Sequence, residues 1–145
     1  MSHLHPRYSI FSLGEIQNLL SKATFEPDAI VMGDFNTISE NDVLPDLTKL
    51  SLNARSRLLN TDGTVGANGV SLFKSHGFVD LGERDGTPTY PTKIFEKDRR
   101  DGIRLRLDYM FASSRLAKLS HLKTVTTPAA QLASDHLPLF CEIRI

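Results

Sequence analysis

The 145-residue sequence has one cysteine, no tryptophan and no excess of charge of either sign. Because Cys141 is alone, an intramolecular disulfide and a zinc ribbon are excluded. The 17 basic residues balance the 17 acidic ones, so net charge gives no argument for a nucleic-acid or membrane partner. No apolar run approaches the roughly 18 residues that a membrane-spanning helix requires. Residues 1–7 lack the apolar segment of a signal peptide, which predicts a soluble, intracellular protein of the cytoplasm or nucleus.

An ordinary composition without repeats or low-complexity linkers predicts a single globular domain. Near its start, Ser12 and Glu15 form a capping-box pattern, and apolar residues then recur at helical spacing, which predicts a helix over residues 12–23. The wholly apolar run 29–32, closed by Gly33, predicts a strand buried on both faces. A helix followed by such a strand indicates an α/β fold.

The middle of the chain has a weaker pattern. Leucines between residues 39 and 69 recur loosely at helical spacing, with Pro45 interrupting them. Glycines at positions 63, 66 and 69 match neither the dinucleotide-binding nor the P-loop fingerprint, which predicts an ordinary loop. A short helix is predicted over residues 70–76, ended by Gly77.

Alternation of apolar and polar residues predicts strands in the C-terminal half. Over residues 104–111, one face carries Leu105, Leu107, Tyr109 and Phe111, and the other carries Arg104, Arg106, Asp108 and Met110. This pattern is typical of a strand with one face in the core and the other at a site. Further strands are predicted over 121–127 and 137–145, the last with Cys141 as a buried core thiol.

Polar groups that suit phosphate chemistry lie after, within or before three of these strands. They are Asp34 and Asn36, then Asp108, then Asp135 and His136. Carboxylates are ligands for Mg²⁺ or Mn²⁺, a histidine beside a carboxylate exchanges protons near neutral pH, and an amide donates to a charged oxygen. Taken singly, each motif is explained as well by an Asx turn or a solvated loop. Together they suit metal-assisted hydrolysis of a phosphate ester.

Four motifs in order carry a resemblance to a known family. They are residues 31–36 (VMGDFN), 89–91 (TYP), 107–109 (LDY) and 134–138 (SDHLP). The chain resembles the C-terminal portion of the endonuclease/exonuclease/phosphatase family, the DNase I-like metal-dependent phosphoesterases. The resemblance implies part of a four-layered α/β sandwich, with two sheets face to face and helices outside. It also implies a phosphodiesterase, endonuclease, exonuclease or phosphatase.

The resemblance assigns a role to each motif residue. Asp34 would orient or deprotonate the attacking water and help to bind the metal, and Asn36 would bind the scissile phosphate. Asp108 would hold His136 in its working tautomer, and His136 would contact the phosphoryl group. Asp135 would help to bind Mg²⁺ or Mn²⁺, directly or through water.

The sequence also departs from the family pattern. Family members carry earlier strands that supply an Asn and a metal-binding Glu, which predicts a domain over residues 1–145 that is truncated at its N-terminus. Residues 2–4 resemble a Thr-His-Leu segment in which some members place a catalytic histidine, so His3 is a catalytic candidate, although a flexible terminal histidine is an equal explanation. An uncovered sheet face predicts a homo-oligomer or a complementing chain. The alternative function is therefore a catalytically impaired fragment or pseudoenzyme that acts through a partner.

The substrate stays open at this level. Family members hydrolyse nucleic acids, phospholipid headgroups and other phosphate esters. A basic run between Lys93 and Arg106 is explained by a phosphate-binding groove or, more simply, by a solvated face. A purely nucleic-acid-binding module is disfavoured by the zero net charge and by the lack of a stacking aromatic pattern.

Overall fold

The computed structural model describes residues 2–3, 9–22, 28–65, 69–95 and 101–144, with the backbone alone for residues 2–3 and 9–12. The strands are β1 (Ser2–His3), β2 (Ile30–Asp34), β3 (Phe78–Asp80), β4 (Asp108–Ser113), β5 (Ser120–Thr124) and β6 (Leu139–Ile143). The helices are α1 (Ser9–Lys22), a 3₁₀ helix (Leu47–Lys49), α2 (Leu52–Leu58), α3 (Gly69–Ser75), α4 (Ser114–Leu119) and α5 (Ala130–Ala133). None of the described helices is long and apolar enough to span a membrane.

A four-stranded sheet runs in the order β1-β2-β4-β3, with β1 parallel to β2 and the other pairs antiparallel. Its register places Asp34, the last residue of β2, opposite Asp108, the first residue of β4. On the other edge of β2, the register partner of Asp34 is His3. Three residues that the sequence predicts for a site therefore lie in one row across three strands.

Helices α1 and α3 cover one face of this sheet through an aromatic core. Phe73 of α3 stacks on Phe111 of β4 with ring centroids 4.3 Å apart, and Phe35 packs edge-on against both rings. Gly69 lets α3 begin close to α1, because a Cβ there would lie 2.5 Å from Cδ1 of Ile16. Since Asp108 alternates with Phe111 along β4, its side chain is on the face of the sheet away from this core.

A second apolar cluster joins the chain after β2 to the segment before β4. Leu50, before α2, and Leu58, the last residue of α2, are buried in one cluster with Leu105 and Leu107. Leu105 also exchanges backbone hydrogen bonds with Tyr90 at 2.8 and 2.9 Å. This cluster fixes the 3₁₀ helix and α2 beside the strand that leads into Asp108.

Strands β5 and β6 form a separate antiparallel pair, and β6 contacts β4. Leu122 and Thr124 of β5 are buried. Cys141 of β6 is half-buried, so the prediction of a buried core thiol is wrong. Within the described residues β6 pairs with β5 alone.

Two boundary predictions near the N-terminus are corrected. The helix predicted over 12–23 begins at Ser9, so Ser12 lies inside α1 and the capping box is wrong. A Ser-x-x-Glu pattern fits the second turn of a helix as well as the first, so it does not fix the start. The prediction that β2 is buried on both faces is also wrong, since Met32 is 47% exposed on the face that carries Asp34.

The remaining predicted elements are present with shifted bounds. The helix predicted over 70–76 is α3, and the leucine-rich segment 39–69 contains the 3₁₀ helix and α2. The strand predicted over 104–111 is β4, which begins only at Asp108, because the preceding residues pair with Tyr90 in an isolated bridge. The last two predicted strands are β5 and β6, each shorter than expected.

Candidate active site

Asp34 and Asn36 form a tight turn where β2 ends. Oδ1 of Asp34 accepts a hydrogen bond from the backbone N–H of Asn36 at 2.9 Å, and Oδ2 accepts one from its Nδ2 at 3.2 Å. Asn36 has a φ of 47°, in the left-handed region that asparagine tolerates better than most residues. Between them, Phe35 is buried and donates its N–H to the carbonyl of Leu107 at 3.0 Å. The motif is thus an Asx turn tied to the strand that carries Asp108.

Asp108 and His136 form a hydrogen-bonded pair. Nδ1 of His136 lies 2.7 Å from Oδ2 of Asp108, and the two side chains are 23% and 19% exposed. Burial alone lowers the pKa of His136, but the hydrogen bond to Asp108 and the negative charges of Asp108, Asp34 and Asp135 outweigh it, so the pKa is raised. A histidine held through Nδ1 presents Nε2 to a substrate. The structure therefore brings together the pair that the sequence predicts.

A buried threonine sets the position of this pair. The hydroxyl oxygen of Thr89 accepts hydrogen bonds from the backbone N–H groups of Leu107 and Asp108 at 3.1 and 3.2 Å. The carbonyl of Thr89 accepts a third from the N–H of Leu137 at 2.7 Å. The Thr-Tyr-Pro motif therefore contributes a side chain that joins the Asp108 strand to the His136 loop.

A second threonine, which the sequence analysis missed, holds the same loop. The hydroxyl of Thr92 donates to the carbonyl of Ser134, and its N–H donates to the carbonyl of Asp135 at 3.0 Å. Thr92 is fully buried. The residue type does not predict this role, because loop threonines are common. The sequence feature that could have indicated it is that Thr92 directly follows the Thr-Tyr-Pro motif.

Arg106 is a core residue rather than a site or groove residue. It is 4% exposed and donates to Oδ1 of Asp42 at 2.8 and 3.0 Å and to both oxygens of Asp80 at 2.9 and 2.7 Å. Its guanidinium also lies 4.3 Å above the ring of Tyr109, whose hydroxyl donates to the carbonyl of Thr37 at 3.3 Å. The prediction that Arg106 shares an open face with Asp108 is therefore wrong. The two acidic partners are distant in sequence, so alternation could not reveal them.

The other described residues of the basic run, which was a candidate phosphate-binding groove, differ in their environments. Arg104 is half-buried and donates to the carbonyl of Ile103 at 2.5 Å, and Lys93 is exposed. Lys97, Arg99 and Arg100 lie outside the described residues.

Three ligand atoms, one each from Asp34, Asp108 and His136, lie within 4.8 Å of one another. Two carboxylates and an imidazole form a donor set that suits a divalent ion whose shell is completed by water. Because Nδ1 of His136 already faces Asp108, the carboxylate oxygens are the better-placed ligands. Asp135 is not part of this group, and the side chain of His3 lies outside the described residues.

A cleft of about 450 Å³ opens beside the group. One end is lined by Asn36, Asp135 and His136, and the ring of Tyr90 lies 5.1 Å from that of His136. The rest of the lining is Lys49, Leu50, Ser51, Ala54, Arg57, Leu58, Phe95, Ile103, Leu105 and Leu107. The cleft thus joins polar groups suited to a phosphate with an apolar wall and two cations.

Comparisons with known proteins identify the fold and the family of this chain. An AP endonuclease from Archaeoglobus fulgidus has a similar structure, with a TM-score of 0.73 and 20% sequence identity over 99% of this chain. This similarity shows an α/β fold of the DNase I-like type, and this chain spans 60% of the length of that protein. No curated protein matches the sequence. The sequence pattern of the Endonuclease/Exonuclease/phosphatase family matches residues 3–136, and the chain therefore belongs to that family.

Proposed function

We propose that this protein is a divalent-metal-dependent phosphoric ester hydrolase. The observation that carries the proposal is the convergence of Asp34, Asp108 and His136, with ligand atoms within 4.8 Å of one another. They lie beside a cleft that Asn36 and His136 line. The family is one of hydrolytic nucleases and phosphatases, which supports a phosphate ester as the substrate.

Each residue of the site has its own role in phosphoryl transfer. Asp34 orients the attacking water and accepts its proton, while the amide of Asn36 donates to an oxygen of the scissile phosphate. Asp108 accepts the Nδ1–H of His136 and so directs Nε2 at the phosphoryl group. The protonated imidazole then stabilises the negative charge that develops on the phosphoryl oxygen.

Mg²⁺ or Mn²⁺ is the ion that this site suits. Asp34 would hold it directly and Asp135, which lies outside the three-residue group, would hold it through water, because these ions prefer carboxylate oxygens and retain several waters. When bound, the ion would neutralise negative charge on the phosphate. His3, whose backbone is paired with Asp34, is proposed as a further catalytic group that contacts the phosphate.

The class of phosphate ester is proposed from the structural similarity and the family resemblance. The structurally similar protein is an AP endonuclease, which supports a phosphodiester of nucleic acid as the substrate here. A phospholipid headgroup is the other class that the family resemblance allows. Hydrolysis of an oligonucleotide or of phosphoinositide vesicles distinguishes these two substrate classes.

Hydrolysis of bis(p-nitrophenyl) phosphate and p-nitrophenyl phosphate tests the proposal, with and without Mg²⁺ or Mn²⁺. We expect metal-dependent release of nitrophenol that EDTA and His136→Ala both abolish. His121→Ala is the matched control, because His121 is an exposed histidine of β5 outside the site. An oligonucleotide and phosphoinositide vesicles complete the panel. Hydrolysis that survives EDTA, or that His136→Ala leaves unchanged, would contradict the proposal.

A second function is favoured by the exposure of Met32. This side chain is 47% exposed on the sheet face of Asp34, where its register partner Met110 is buried. An uncovered apolar side chain beside the site supports a homo-oligomer, or a catalytically impaired chain that a partner completes. Sedimentation over a range of concentrations tests this. We expect self-association that Met32→Lys weakens, whereas a monomer at every concentration would contradict the homo-oligomer. Absence of both turnover and calorimetric metal binding would favour the impaired chain.

A further inference from the structure

One wall of the cleft carries two cations that none of the four family motifs contains. Lys49 ends the 3₁₀ helix and Arg57 lies near the end of α2. Both line the same cleft as Asn36 and His136. The cleft therefore has positive charge in addition to the groups that face the scissile phosphate.

The fold fixes the backbone beside both cations, while the side chain of Lys49 itself is exposed. Lys49 directly precedes Leu50 and Arg57 directly precedes Leu58, and both leucines are 7% exposed. The leucines are buried in one cluster with Leu107, the residue before Asp108. The wall that carries the cations is therefore anchored to the strand that carries the site.

The local helix geometry limits the Arg57 side chain further. Its Nε donates to the carbonyl of Asn53 at 3.3 Å, one turn earlier in α2. Ser51 caps the same helix by accepting the N–H of Ala54 at 3.2 Å, and both of these residues line the cleft. Arg57 is half-buried, so its guanidinium belongs to the cleft wall rather than to a freely solvated surface.

Two aromatic rings are part of the lining of the cleft. Tyr90 and Phe95 line it with ring centroids 6.0 Å apart, together with Ile103, Leu105 and Leu107. Such a lining accepts a sugar or a base by packing and stacking. A flat base stacks on such rings and an inositol ring does not, which favours a nucleotide unit over a lipid headgroup.

We propose that Lys49 and Arg57 form a second phosphate-binding subsite, which takes a phosphate joined through a nucleoside unit to the scissile phosphodiester. The inference rests on the proposed function for the identity of the first phosphate. In this proposal, the 3₁₀ helix and α2 carry the residues that select a nucleic-acid strand over a substrate with one phosphate.

Binding without turnover tests the subsite independently of hydrolysis. Fluorescence anisotropy of a labelled single-stranded oligonucleotide in EDTA is measured for the wild type, Lys49→Gln, Arg57→Gln and the double variant. Single-stranded binding weakens with salt by a logarithmic slope of about 0.7 per phosphate contact, so the double variant, which loses the one phosphate of this subsite, should lose about 0.7 from that slope. Arg55→Gln and Lys118→Gln are matched controls, because these exposed cations of α2 and α4 do not line the cleft.

Turnover then tests the preference for a substrate with a second phosphate. A dinucleoside monophosphate is compared with the same dinucleotide bearing a terminal phosphate at either end. We expect the terminal phosphate to lower the KM of the wild type about tenfold, and the double variant to lose this ratio. The two controls should keep it.

The outcomes separate the two proposals. Absence of turnover of every substrate by the wild type would overturn the proposed function, while a reduced salt slope in the double variant alone would still support the subsite. An unchanged slope in the double variant would overturn the subsite whether or not turnover occurs. Binding to phosphoinositide vesicles without binding to the oligonucleotide would also overturn it.

Discussion

Asp34 and Asp108 are register partners at the ends of two antiparallel strands, β2 and β4. Because directly opposed residues of such a pair project from the same face, the turn after β2 and the carboxylate that holds His136 lie side by side. The loop of His136 reaches this row through the backbone and hydroxyl contacts of Thr89 and Thr92. The candidate site is thus assembled by strand register and by two buried threonines.

Neutral replacements at the site should remove hydrolysis without unfolding the protein. Asp34→Asn removes the proton acceptor, and His136→Gln removes the charge that faces the phosphoryl group. Each should lower kcat by about 10²–10⁴-fold. Asp62→Asn is the matched control, because Asp62 also accepts a backbone hydrogen bond in a turn, in an exposed loop. Circular dichroism checks the fold, and loss of the fold in both site variants would show that these residues are structural.

His136 should titrate above its ordinary pKa in the metal-free protein. The pKa is raised because the carboxylates of Asp108, Asp34 and Asp135 outweigh the effect of burial. The imidazolium–carboxylate pair therefore stabilises the fold at low pH, and this contribution is lost as pH rises through the raised pKa. An NMR titration of the imidazole resonances in EDTA measures it. Asp108→Asn should lower the pKa, and an unchanged value would contradict the pairing.

Arg106→Met should be strongly destabilising. The change leaves Asp42 and Asp80 buried without their shared guanidinium, and breaking a buried pair in this way costs about 3–5 kcal/mol. Urea unfolding measures the difference. Arg115→Met is the control, because Arg115 pairs with Asp28 at the exposed surface and its loss should leave the free energy of unfolding nearly unchanged. Equal effects of the two substitutions would contradict the buried role of Arg106.

Thr89→Val should weaken both the fold and the site. The valine keeps the shape but cannot accept the N–H groups of Leu107 and Asp108, and two buried donors without a partner cost about 1–3 kcal/mol each. Urea unfolding measures the loss, and the NMR titration of His136 reports any displacement of Asp108. Thr89→Ser retains the hydroxyl and should restore the pKa of His136. An equal pKa in the valine and serine variants would show that the hydroxyl does not position the pair.

Local pattern by itself determined the family and the elements that carry its motifs. The apolar run before Gly33 and the alternation over residues 104–111 each predicted a strand, and these strands are β2 and β4. These signals are local because strand alternation and helix periodicity depend on neighbouring residues. For the same reason they left the exact bounds of α1 and β4 open.

Tertiary structure alone decided which polar residues meet. Arg106 has the same alternating position as Asp108, yet it is buried because Asp42 and Asp80, 64 and 26 residues away, neutralise it. Lys49 and Arg57 reach the cleft because the leucines that follow them pack in a core shared with the strand before Asp108. Contacts at such separations depend on register and packing between elements, which periodicity within one element does not encode.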